Sequence, residues 1–101
     1  MEFYSFRFGD AKEARADAAS PKVVAVEMTF GFKAPERHTV ETVALTVHVP
    51  DPGAGGLAEA QKTAYALAQD LLRAAAAHCA ARGPDDLLRE TQERQAFVLK
   101  A

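Results

Sequence analysis

The chain has one cysteine in 101 residues, which excludes an intramolecular disulfide and any zinc site built from clustered thiolates of one chain. A basic excess is also missing. Twelve Lys and Arg stand against 14 Asp and Glu, for a formal net charge of -2. Nucleic acids are held by concentrated Lys/Arg footprints, so this balance argues against nucleic acid as a partner. No apolar run approaches the roughly 18 residues of a membrane-spanning helix. The opening MEFYSFRFGD has no basic stretch followed by an apolar core, as a secretory leader would. These absences predict a cytoplasmic protein without a membrane partner.

Hydrophobic residues make up 49% and charged residues 26%, an ordinary globular balance for one domain spanning 1–101. Between Leu57 and Arg82 there is neither Gly nor Pro. At about 100° per residue, Leu57, Ala64, Leu67, Ala68, Leu71, Leu72, Ala75 and Cys79 share one broad arc, and Glu59, Lys62, Thr63, Gln69, Asp70 and Arg73 oppose it. This predicts an amphipathic helix. Its Ala-rich second half combines high helix propensity with little side-chain volume, which favours close approach of whatever packs there. Gly83 and Pro84 end it, and Asp85 to Gln95 starts a shorter second helix.

The rest reads as strands. Glu2 to Phe8 alternates, with Tyr4, Phe6 and Phe8 on one face and Phe3, Ser5 and Arg7 on the other. Lys22 to Phe32 places Val24, Val26, Met28, Phe30 and Phe32 together, and Thr39 to Val49 does the same for Val43, Leu45, Val47 and Val49. Residues directly opposite in an antiparallel hairpin share a face, so even positions of the first strand must meet odd positions of the second. A tight loop at Ala34 to Arg37 sets Met28 beside Val43, Val26 beside Leu45 and Val24 beside Val47. Val40 and Glu41 break the alternation, which predicts a bulge near Val40 to Thr42. Asp10 to Ser20 reads as a thin surface helix on Ala11, Ala14 and Ala18, or failing that a long loop, and Ala96 to Leu99 as an extension of the second helix or, in preference, a short strand or apolar tail. The fold expected is α+β: an antiparallel sheet of three to four strands, one long amphipathic helix on a face, and a shorter C-terminal helix. The alternative is a ferredoxin-like βαββαβ arrangement.

Chemistry-bearing motifs are sparse. GAGGLAEAQKT has Gly-rich and Lys-Thr elements, but Gln61 stands where a phosphate-binding loop needs glycine. His38 and His48 lie about 33 Å apart along a strand, and His78 and Cys79 diverge by about 100° on a helix, so neither pair forms a metal site. Cys79 falls on the inward arc, where a thiol is inert packing. No metal, cofactor or catalytic residue is therefore expected. The outer sheet face is small and flat, made of Phe3, Val23, Ala25, Thr29, Thr42, Ala44 and Thr46, and suits contact with another protomer or a protein partner. The expectation is a non-enzymatic interaction or regulatory module, self-associating through that face or a sheet edge as a homodimer. The alternative is a small-ligand binder or minor enzyme, with a pocket between helix and sheet lined by Tyr4, Tyr65 and His78.

Overall fold

In the computed structural model, which describes residues 1–14 and 18–100 with side chains as far as residue 95, the elements follow in the order β1 (Glu2–Ala14), β2 (Val23–Ala34), β3 (Thr39–Pro50), a 3-10 turn (Gly53–Gly55), α1 (Gly56–Ala81) and α2 (Pro84–Lys100). The fold is α+β, and its three strands form one antiparallel sheet in the order β1-β2-β3. Met1–Ala68 forms one compact unit and Gln69–Ala101 a second.

The hairpin keeps the expected parity but shifts its register by two residues along β3. Met28 pairs with Leu45, Val26 with Val47 and Val24 with Val49. The cause is the loop. Ala34 stays in β2, its carbonyl accepting from the Arg37 N–H at 3.3 Å, so the four-residue loop starts at Pro35 rather than at Ala34 and every partner on β3 moves by two. His38 closes the loop at a φ of 54°. Pairing therefore begins at Ala34 and Thr39 and runs unbroken to Val23 and Pro50. The bulge expected near Val40 to Thr42 does not form. Glu41 shares the helix-facing side with Phe32, but it is exposed and accepts from the Thr39 hydroxyl at 2.7 Å, so solvent removes any need to break the ladder there.

The irregularities lie in β1 instead, between Phe3 and Ser5 and between Phe8 and Ala11. Each inserts one residue and reverses which parity faces the helix. The first sends Tyr4 to the outer face, where the Lys33 ammonium sits 5.9 Å from its ring centroid. Phe3 turns to the helix-facing side, opposite Phe32, with the rings edge-on at 6.1 Å. The second puts Ala11 rather than Asp10 opposite Val26. β1 thus continues through Ala14 where a helix was expected, because pairing with β2 satisfies its backbone while a stripe of three alanines would bury little. Residues 15–17, the middle of that expected helix, lie outside the described residues. The βαββαβ alternative is overturned at both ends. Residues 96–100 continue α2, since nothing there is the Gly or Pro that would stop it.

The core is made of small residues. Val26, Met28, Val47 and Val49 from the sheet meet Ala60, Ala64 and Ala68 from α1, with Phe6, Phe8, Ala11, Val24, Phe30 and Leu45 partly buried around them. The alanine row at four-residue spacing is the whole buried face of α1. Leu57, Leu67 and Leu71, expected to share that burial, are 56%, 42% and 44% exposed, Leu72 is half-buried, and Ala75 and Cys79 are exposed. The reason is geometric. Leu67 stands about 60° round the helix from Ala64, on the flank of the row, whereas Leu57 and Leu71 are in line with it but lie beyond Ala60 and Ala68 at its two ends. Tyr65 closes one flank of α1 by standing edge-on to Phe6 at 5.7 Å.

Candidate interaction surface

A three-stranded sheet has two edges, here β1 and β3, and an edge strand presents a row of unpaired backbone N–H and C=O groups. The two are built differently. β1 is interrupted by its two bulges and carries Glu2, Arg7, Asp10, Lys12 and Glu13. Bulges and charges of this kind blunt an edge against further pairing. β3 runs straight from Thr39 to Pro50, holds neither lysine nor bulge, and has Glu41 and His48 as its sole titratable residues. Its interior contains no proline.

The outer sheet face gathers six of the seven residues expected there. Val23, Ala25 and Thr29 on β2 are half-buried, and Thr42, Ala44 and Thr46 on β3 are exposed. Thr29 pairs with Ala44 and Gly31 with Thr42. Gly31 sits in a tight place: a β-carbon there would meet Ser5 Oγ at 2.5 Å and Val40 Cγ1 at 3.3 Å, so the Ser5 hydroxyl would have to turn away. Phe3, the seventh, belongs to the other face. There it joins Phe32 and Val43 at the hairpin end of the sheet, and Phe3 and Val43 remain 60% and 40% exposed.

The residues expected to line a ligand pocket are placed apart within the first unit. Tyr4 is on the outer face and Tyr65 on the helix-facing one, so the sheet separates them. His78 belongs to the second unit and is exposed, its Nδ1 3.3 Å from the Ala74 carbonyl oxygen. It borders a hollow of about 230 Å³ with Leu87, Glu90, Thr91 and Arg94. The first unit has a hollow of about 220 Å³ beside the start of α1, bordered by Ala11, Glu13, Val24, Asp51 and Leu57 among others. Asp51 is engaged there, accepting from the Gly53 N–H at 2.8 Å. Both hollows fall below the roughly 300 to 1,000 Å³ usual for small-molecule sites.

Other chemistry finds little support in the geometry. Among the described residues no three of His, Cys, Asp and Glu come together as metal ligands, and no buried side-chain N or O lacks a hydrogen bond. Cys79 is exposed rather than inward. The second unit is stitched by exposed ion pairs, Arg82 with Glu90, Arg89 with Asp86 and Arg73 with Asp70, of the kind that contribute about 0 to 1 kcal/mol each. No helix among the described residues is long and apolar enough to cross a membrane. Comparison with family models, with curated proteins and with solved structures finds no match to this chain.

Sequence reasoning did not single out the β3 edge or Leu67. The signal for the edge was present in the contrast between a charge-rich first strand and a nearly uncharged third. No signal in periodicity alone separates Ala64 and Ala68 of the arc, which are buried, from Leu57, Leu67 and Leu71, which are not.

Proposed function

We propose that this protein is a small, non-enzymatic protein-protein interaction or regulatory module that self-associates, through the outer face or the edge of its sheet, as a homodimer. One observation carries the reading. The residues of the core are Val, Met and Ala, and no leucine or phenylalanine with a described side chain is fully buried. Phe3, Leu57 and Leu67 are 60%, 56% and 42% exposed, so covering one would recover about half of the roughly 1.5 to 3 kcal/mol of complete burial, in a chain short enough for its own core to be marginal. Contact with a second copy recovers part of that without any change of fold.

The test is the mass in solution, by size exclusion with light scattering, over a range of concentrations. A homodimer gives twice the 10.8 kDa of one chain, falling toward one chain mass on dilution. A mass of one chain up to millimolar concentration would overturn the reading.

A further inference from the structure

We infer that the contact is β3 against β3: two copies pair these strands antiparallel about a two-fold axis through Ala44, making one continuous sheet of the two. The inference rests on the self-association proposed above and adds where it occurs and in which register.

The open edge selects the strand. β1 is blunted by bulges and charge, while β3 offers an unbroken ladder of backbone groups, and the occupant that fits such a ladder is another extended strand. A second copy of β3 meets that need by symmetry. In an isologous contact, residue i meets residue j and j meets i, so the strand must complement its own reversal.

The sequence of β3 does so at one place. Thr42-Val43-Ala44-Leu45-Thr46 reads nearly the same in both directions. An axis through Ala44 puts Thr42 opposite Thr46 on the outer face and Val43 opposite Leu45 on the helix-facing side. Directly opposed Thr pairs and aliphatic pairs are favourable cross-strand neighbours. Farther out, Val40 meets His48 and Glu41 meets Val47, so no like charges oppose. An axis between two residues would set the outer face of one copy against the helix-facing side of the other, which the pleat forbids. An axis through Leu45 also sets Glu41 against a buried valine, Val49 in place of Val47; what separates the two is the outer face, where the Leu45 axis replaces the Thr42–Thr46 pairs with Thr42 opposite His48 and Ala44 opposite Thr46.

The helix supports the same edge. Such an axis is perpendicular to the sheet, so both α1 helices lie on the same side. Tyr65 fills the flank of α1 toward β1 by standing on Phe6. Leu67, about 200° further round the helix, lies on the flank toward β3 and is exposed. A stable dimer hides about 800 Å² per partner, roughly a tenth of the 7856 Å² exposed by one chain. A backbone ladder alone falls short of that. Leu67 and its symmetry mate, meeting above the joined strands, supply apolar area that the edge lacks.

Disulfide trapping distinguishes the outcomes. In a Cys79→Ser background, which removes the one native thiol, Ala44→Cys is mildly oxidised and compared with Thr42→Cys. Paired Ala44 residues lie about 4.5 to 5.5 Å apart between α-carbons, within disulfide reach, whereas the two copies of residue 42 are offset by about 13 Å along the strands. The expected result is a covalent dimer for Ala44→Cys at least tenfold faster than for Thr42→Cys. A twofold mass in solution without trapping at 44, or with equal trapping at 42, overturns the β3 register and leaves self-association standing. A single-chain mass overturns both.

Discussion

Ala64→Leu destabilises the protein by about 2 to 3 kcal/mol, while Leu71→Ala changes its stability by less than about 1 kcal/mol. Conventional reading of an amphipathic helix expects the reverse. Ala64 has no exposure at all and sits in the middle of the seam formed with Val26, Met28, Val47 and Val49. Alanine and leucine are similar in helix propensity, so the cost comes from packing. Three added carbons must push α1 off the sheet or force strained rotamers in a close-packed interior. Leu71 already has 44% of its surface in water, so truncating it removes little that folding had buried. Against a total of about 5 to 15 kcal/mol for a domain of this class, the first change is readily seen as a lower urea midpoint with an unchanged slope. A neutral Ala64→Leu beside a costly Leu71→Ala would mean that the leucine arc is the true core face.

Met28→Ala costs about 2 to 5 kcal/mol by the combined loss of transfer energy and the cavity left behind. Met28 is the largest of the fully buried side chains and occupies the middle strand, opposite Phe8 on one side and Leu45 on the other. It touches every layer of the first unit. Val43→Ala, on the same side of the sheet but 40% exposed, costs less than about 1 kcal/mol when measured on the dissociated chain. Thermal or urea unfolding at low protein concentration separates the two. Equal costs would indicate that the register sets Met28 beside Val43.

That register illustrates what the sequence conveys and what it withholds. Alternation fixes which side of a strand faces inward, so the even set of β2 and the odd set of β3 were legible as one face. It does not fix sliding by two residues, because any such slide preserves parity. The loop decides, and the geometry imposed by Pro35 and completed by His38 is a matter of backbone conformation rather than hydrophobic pattern. The bulges in β1 are harder still. Each adds a single residue, and the exchange of Tyr4 and Phe3 between faces follows from where the ladder slips, not from either side chain. Ala96 to Leu99 shows a further ambiguity: a short apolar run suits strand and helix alike, and continuity with α2 settles it.

The candidate surface was legible to a similar degree. Six of the seven outer-face residues were readable from parity, and the charge contrast between β1 and β3 was open to view. Which large apolar residues stay in water was not, since Leu57 and Leu71 share the arc of the buried Ala60, Ala64 and Ala68 and periodicity cannot tell them apart. The pocket expectation failed for Tyr4 and Tyr65 because one slipped residue in β1 placed the sheet between them.

Hydrogen exchange at the β3 backbone, followed from dilute to concentrated protein, tests the central claim most directly. Edge amides that point to solvent exchange quickly unless a partner strand accepts from them. The β3–β3 contact predicts that alternate amides between Val40 and His48 become protected as concentration rises, while those facing outward along β1 remain unchanged. Exchange along β3 that stays fast at every concentration, or protection that builds along β1 instead, would contradict it.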